Sequence, residues 1–341
     1  VLTAFKQNRK VTLRETALRK LKSGEIRIRV SACGICGTDL HETIDNDRQE
    51  NPFGHEMAGT ILEVKDNVTG LKPGQQVVIE SSSSCGRCDN CRNTRQELCT
   101  NKQSFFGGGT FGFAEEAIVP AISALPCEDM DPCVASLSEP LGVAIDMVRL
   151  AEIGINSNVL IMGPGPIGLM ATALAKRAGA RRIFVSATSR RTKRIELAKK
   201  FGSDEMIAAD KTELSKHNFG CEINRILCTT GPATLNDAFA VAAKGAIISF
   251  IGIGYGDKAF CKFNVNDFHF KKLQLRASFA SPALFTPLAL TYLREGVVNG
   301  EALISHRFPL AKISEAMETA RNDPESIKVM VLPNSTAAGA C

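Results

Sequence analysis

The chain has 341 residues, 44% of them hydrophobic and 23% charged, enough for about two domains with ordinary apolar cores. A net charge of +5 admits an anionic ligand but supplies no basic, aromatic-studded face for nucleic acid. Twelve cysteines, four of them closely spaced, argue for reduced thiols in the cytoplasm and against a small disulfide-stapled secreted domain.

In chain order, residues 1–16 mix apolar and charged side chains without an apolar core segment, so no secretory leader is expected. Up to about Pro140 the chain alternates in short runs, such as 25–30 and 76–79, separated by Gly, Pro and Asn; this is a β-rich pattern. From Val159 the pattern changes. Apolar strands at 159–162, 183–185, 226–228 and 247–251 alternate with helical periods near 168–177, 193–201 and 235–243, which predicts βαβ units and a parallel sheet. Further helices are expected at 288–295 and 313–322, then a terminal strand at 328–332 and a frayed tail. The uncharged run 159–175 is too short for a membrane span and is broken by Gly163, Pro164, Gly165, Pro166 and Gly168. The expected organisation is a β-rich domain over 1–142, a Rossmann dinucleotide-binding domain over 143–272, and a return segment over 273–341 that completes the first.

Cys85, Cys88, Cys91 and Cys99 follow C-x2-C-x2-C-x7-C. Four thiolates complete a closed tetrahedral zinc shell, which stabilises a lobe and leaves no position for chemistry. A zinc ribbon for nucleic acid would use two separated C-x2-C pairs and would leave the rest of the chain unexplained. Three other segments carry ligand-type residues: 33–41 with Cys33, Cys36 and His41; Gly54-His55-Glu56; and Ser138-Glu139-Pro140. A catalytic zinc needs three protein ligands and one exchangeable position, which Cys36, His55 and a carboxylate would satisfy. On spacing alone these residues fit unrelated core positions equally well, since a lone Cys is usually a small buried hydrophobe.

Gly163-Pro164-Gly165-Pro166-Ile167-Gly168 follows an apolar strand and opens a helix, the order a G-x-G-x-x-G fingerprint requires. Pyrophosphate would meet the unpaired N–H groups of that helix start. An acid for the ribose 2′-hydroxyl of NAD is expected about 20 residues on, yet none stands between Gly179 and Ile195. Ala187, Thr188 and Ser189 occupy the turn, with Arg190, Arg191, Lys193 and Arg194 behind them. Hydroxyls and guanidinium groups suit a 2′-phosphate, and cations at a helix start oppose its dipole unless an anion joins them. NADP(H) is therefore the expected cofactor, with NAD(H) as the second choice.

G-I-C-G-T-D-x-H, then G-H-E, the four-cysteine lobe, S-E-P and G-x-G-x-x-G, in that order, resemble the zinc-dependent medium-chain alcohol dehydrogenase family. The acid before Pro140 resembles the sorbitol, polyol and threonine dehydrogenase branch. The resemblance implies a Rossmann domain beside a GroES-like catalytic domain with a zinc lobe. It implies two zinc ions per chain, with Cys36, His55 and Glu56 as ligands of the catalytic one and Glu139 reaching it directly or through water. Cys33 is then a packing residue and Asp39 a brace for the loop or for a ligand histidine. Thr38 would contact the substrate hydroxyl and His41 would pass its proton to solvent, although a solvated loop histidine is the plainer reading of His41. Thr230, Gly231 and Ile253, at the ends of later strands, would touch the cofactor.

The implied reaction moves a hydride between a secondary alcohol group on a polyol, sugar or related compound and the cofactor. Threonine-type substrates with NAD remain open, as does a non-enzymatic nicotinamide-binding relative, although such a relative should have lost its metal ligands. Glu42 and Thr43 after His41, and the stretch 278–282, lack the aromatic and Arg-Tyr features typical of sorbitol dehydrogenases. The expected partners are a small alcohol and further copies of the chain, as a homodimer or homotetramer, with no nucleic acid and no membrane.

Overall fold

Alternation builds the first sheet. In strand Glu25–Gly34, Ile26, Ile28 and Val30 are fully buried, whereas Arg29 points to solvent. The protein is seen in a computed structural model that describes residues 1–7, 10–40, 50–104, 111–254 and 256–335. Two compact units are present: Val1–Gly142 together with Ala280–Cys341, and Val143–Phe279.

In the first unit, Glu25–Gly34 is the hub of a seven-stranded sheet. It pairs antiparallel with Glu56–Val64, Glu116–Pro120 and the C-terminal strand Lys328–Leu332. Strand Glu56–Val64 continues the sheet to Gln76–Ile79. One face packs Ile26, Ile28, Met57, Val77, Ile79 and Phe113 with Leu310, Ile313 and Val331, residues far apart in sequence. Burying each such side chain contributes about 1.5–3 kcal/mol, so the sheet register is firmly held.

The second unit holds a six-stranded sheet in the order Glu205–Ala208, Arg182–Ala187, Asn158–Met162, Ile223–Cys228, Ala242–Phe250, Gln274–Ala277, with every pair parallel. This is the doubly wound 3-2-1-4-5-6 order, and its switch point lies between Asn158–Met162 and Ile223–Cys228. The uncharged run is divided between strand Asn158–Met162 and helix Pro166–Arg177, both too short to span a bilayer. Among the described residues no helix is long and apolar enough to cross a membrane.

Two elements differ from expectation. The return to the first unit begins at Ala280 and not at residue 273, because Gln274–Ala277 is the sixth strand of the parallel sheet. Ser138–Leu150 is a thirteen-residue helix that begins where the β-rich pattern was expected to end, and no helix was expected there. Proline is tolerated in a first helical turn, where its missing N–H has no partner to lose.

Candidate metal centres and nucleotide site

Beyond strand Gln76–Ile79 the chain enters a lobe made of the short helix Asp89–Arg92 and the turn Gln96–Leu98. The ligand atoms of Cys85, Cys88, Cys91 and Cys99 all lie within 4.8 Å of one another. Sulfur separations are 3.5 Å for Cys88–Cys91, 3.9 Å for Cys88–Cys99 and 4.0 Å for Cys85–Cys91. Four sulfurs each about 2.3 Å from a tetrahedral zinc stand about 3.8 Å apart, so the donor set fits that ion. The Cys85 N–H donates to Cys99 Sγ and the Cys88 N–H to Cys85 Sγ, both at 3.3 Å, which favours thiolates.

A second donor set forms where three segments meet. Cys36 precedes the short helix Gly37–Leu40, His55 precedes strand Glu56–Val64, and the ligand atoms of Cys36, His55 and Glu56 lie within 4.8 Å of one another. Gly54, at φ +93°, lets the chain turn there, and a Cβ on it would stand 2.6 Å from the Phe113 ring. Asp39 is 6% exposed and braces both halves. Its Oδ2 accepts the Cys36 N–H at 2.9 Å, and its Oδ1 lies 3.8 Å from His55 Nδ1. Thr38 is exposed on the adjacent turn, and Cys33 is fully buried in the sheet core. His41 lies outside the described residues.

Lys328 went unmarked in the sequence. Its ammonium, 3% exposed, donates to Glu56 Oε2 at 2.6 Å, to Glu56 Oε1 at 2.8 Å and to the Ile35 carbonyl at 3.1 Å. Glu56 is therefore neutralised from behind, and a carboxylate so paired keeps lone pairs for a metal. Burial opposes the charge on Lys328, but Glu56 and then Cys36 outweigh it and hold the ammonium pKa above its ordinary value. Burial pushes the Glu139 carboxyl up to about 7, against the pull of the His55 charge and with the push of Glu56. Burial would lower the His55 pKa, yet Cys36 and Asp39 raise it well above the usual imidazole value. Cys36, His55 and Glu56 thus offer sulfur, nitrogen and oxygen donors to one point, a set that suits a divalent cation such as zinc.

In the second unit, Gly163 turns at φ +99° and helix Pro166–Arg177 begins directly after Gly165. A Cβ on Gly168 would meet the Gly163 carbonyl, and it would lie 3.0 Å from Thr229 Oγ1. Thr229 Oγ1 donates to the carbonyls of Met162 and Gly163 at 2.9 and 2.8 Å, fastening the turn to the end of strand Ile223–Cys228. Thr230, the neighbour that the sequence pointed to, has its hydroxyl 2.5 Å from Thr234 Oγ1. Gly231 and Ile253 follow the fourth and fifth strands of the sheet and are exposed.

Ser189, Arg190 and Arg191 stand at the turn between strand Arg182–Ala187 and helix Thr192–Lys200, and Arg194 lies in the first turn of that helix. Burial, then the neighbouring Arg191 cation, lowers the Arg194 pKa to about 10. Asp210, absent from the sequence reading, accepts from both the N–H and the hydroxyl of Ser189 at 2.8 and 2.7 Å.

Comparison with known proteins agrees with this architecture. Residues 22–129 match the alcohol dehydrogenase GroES-like domain and residues 166–289 the zinc-binding dehydrogenase domain. An L-threonine 3-dehydrogenase of Bacillus velezensis is 33% identical over 336 residues, covering 94% of this chain and 95% of that protein. An L-galactonate-5-dehydrogenase of Escherichia coli is 29% identical, covering 90% and 91%. Among solved structures, a protein assigned as a zinc-binding dehydrogenase from Sinorhizobium meliloti 1021, solved bound to NADP, superposes with a TM-score of 0.85. It is 25% identical, with 97% of this chain and 99% of that one covered.

Proposed function

Since the chain belongs to the zinc-dependent medium-chain alcohol dehydrogenase family, we propose that it oxidises a secondary alcohol with a nicotinamide cofactor, or reduces the ketone in reverse. The observation that carries this reading is the convergence of Cys36, His55 and Glu56 on one point, with Asp39 bracing the first two and Lys328 the third. These three residues would hold one zinc with Glu139 beside its open position, and Cys85, Cys88, Cys91 and Cys99 would hold the other. Bound at the first set, zinc supplies Lewis-acid polarisation of the substrate oxygen. Thr38 would take the proton from the substrate hydroxyl oxygen and His41 would pass it to solvent; a bound nicotinamide would supply the acceptor for the hydride of the carbinol carbon. Gly163, Gly165, Pro166, Ile167 and Gly168 would cradle the pyrophosphate, with Thr230, Gly231 and Ile253 along the strand ends.

Ser189, Arg190, Arg191 and Arg194 would receive a 2′-phosphate, which supports a preference for NADP(H) over NAD(H). The names of relatives, an L-threonine 3-dehydrogenase and an L-galactonate-5-dehydrogenase, support a substrate among small hydroxy compounds. A threonine-type reaction with NAD is the second reading, favoured by the 33% identity to that relative. Phe260, Val265 and Phe270 of the second unit are exposed at 80%, 68% and 71%, large apolar side chains of the kind that further copies of the chain would cover. Cytoplasmic residence is consistent with free thiols at the four-cysteine lobe.

The deciding experiment is a cofactor-reduction screen of polyols, sugar acids and threonine, with NAD and NADP in parallel. Turnover should appear with at least one secondary alcohol. It should vanish in Cys36→Ser and in His55→Ala, each losing one of two zinc ions by elemental analysis while still binding nucleotide. Full activity in either variant with that zinc missing would refute the site.

A further inference from the structure

The acid missing after the second strand of the parallel sheet is supplied in space by the third. Strand Arg182–Ala187 pairs with Glu205–Ala208 in the register Ala187↔Ala208, and the Ala209 N–H donates to the Ala187 carbonyl at 2.8 Å. One residue on, Asp210 lies against the turn that follows Ala187. Its Oδ1 accepts the Ser189 N–H at 2.8 Å and its Oδ2 the Ser189 hydroxyl at 2.7 Å. Those two bonds, the hydroxyl first, hold its carboxyl below the ordinary aspartate range. The donors of Ser189 that would greet a 2′-phosphate are thus already engaged by an anion of the chain itself.

We propose that Asp210 is a cofactor-selecting residue: it fixes the Ser189 turn and sets a carboxylate against the 2′-phosphate, tempering the preference that Arg190, Arg191 and Arg194 create. This rests on the reading that the 2′ end of the adenosine lies at that turn. The reasoning is electrostatic. A carboxylate within hydrogen-bonding distance of Ser189 repels a phosphate held by the same serine, and at this exposed turn water and salt reduce the effect without abolishing it. A free 2′-hydroxyl carries no charge and meets no such repulsion. The site would then pair an attractive cluster with a built-in repulsive element, the arrangement by which specificity between near-identical ligands is tuned.

Asp210→Asn separates the two roles of the residue. The amide oxygen still accepts the Ser189 N–H and the amide nitrogen can donate to its hydroxyl, while the charge is gone. The full-length protein, wild type and variant, is titrated by calorimetry with adenosine 2′,5′-bisphosphate and with 5′-AMP at low and high ionic strength. In the variant, the ratio of affinities should shift towards the 2′-phosphorylated nucleotide by about 3- to 10-fold at low salt, and by less at high salt. An unchanged or lowered ratio overturns the proposal. Should Asp210→Asn not fold, Asp210→Ala is read by the same criterion. The arginine reading fails separately: Arg190→Ala, Arg191→Ala and Arg194→Ala would all leave the wild-type ratio unchanged, and a shift in Asp210→Asn would still stand.

Discussion

Lys328 and Glu56 face each other almost without solvent, and removing one of them strands the other. In the metal-free protein, Lys328→Met should cost about 3–5 kcal/mol in urea unfolding, the usual cost of an uncompensated buried charge. Lys328→Met combined with Glu56→Gln should recover much of that loss in the metal-free protein, because neither member of the pair is then left as a lone charge; equal losses in the single and double variants would refute the pairing. The ligand candidates Cys36, His55 and Glu56 were legible in sequence through the ordered motifs that carry the family resemblance, whereas their spacing alone left core positions equally open. Lys328 was not, since a lone lysine at the start of Lys328–Leu332 reads as a solvated strand end and its partner lies 272 residues away. Asp210 escaped for a related reason, as its place at the ribose turn comes from strand pairing and not from the fingerprint spacing.

At the scale of elements, the contact between strand, glycine turn and helix is the proposed seat of the nucleotide. Gly168→Ala would push a methyl group onto the Gly163 carbonyl and towards Thr229, so either the helix start or the turn must move. Nucleotide affinity should fall at least about tenfold, some 1.4 kcal/mol, with zinc content unchanged at two per chain. Undiminished binding would show that the turn does not hold the pyrophosphate. The long apolar strands and amphipathic helices of the second unit were readable because strong periodicity survives without context. The strands Glu205–Ala208 and Gln274–Ala277 were not. Each has four residues and mixed burial, and each pairs with a single neighbour at an edge of the sheet, so its sequence carries little of the pattern that central strands need. The helix Ser138–Leu150 was hidden by its own Pro140 and Gly142.

Taken as a whole molecule, the chain places its two metal candidates in one unit and its nucleotide candidate in the other. Mild chelation should therefore remove the ion at Cys36, His55 and Glu56 first and end turnover, because a site with an exchangeable position releases metal more readily than a closed four-thiolate shell. Exhaustive chelation should then speed amide hydrogen exchange across residues 85–99 while leaving the strands Asn158–Met162 and Arg182–Ala187 protected. Loss of protection in both units together would contradict the assignment. The general architecture was legible from the change of pattern near Val159, but the return point was not, since it depends on which unit captures a short edge strand.

The pairing of Lys328–Leu332 with Glu25–Gly34 also bears on how the protein is made. A ribosome extrudes the chain from its first residue, so the hub strand and Glu56 emerge early, whereas the strand and the ammonium that complete them emerge after the whole parallel sheet. Until then the first unit has an open sheet edge and a carboxylate without its counter-charge. The second unit, whose strands form one uninterrupted stretch of sequence, can close on its own while synthesis continues. During that interval the nascent chain holds a finished nucleotide fold tethered to a half-built catalytic one, and this is when a chaperone has most to protect.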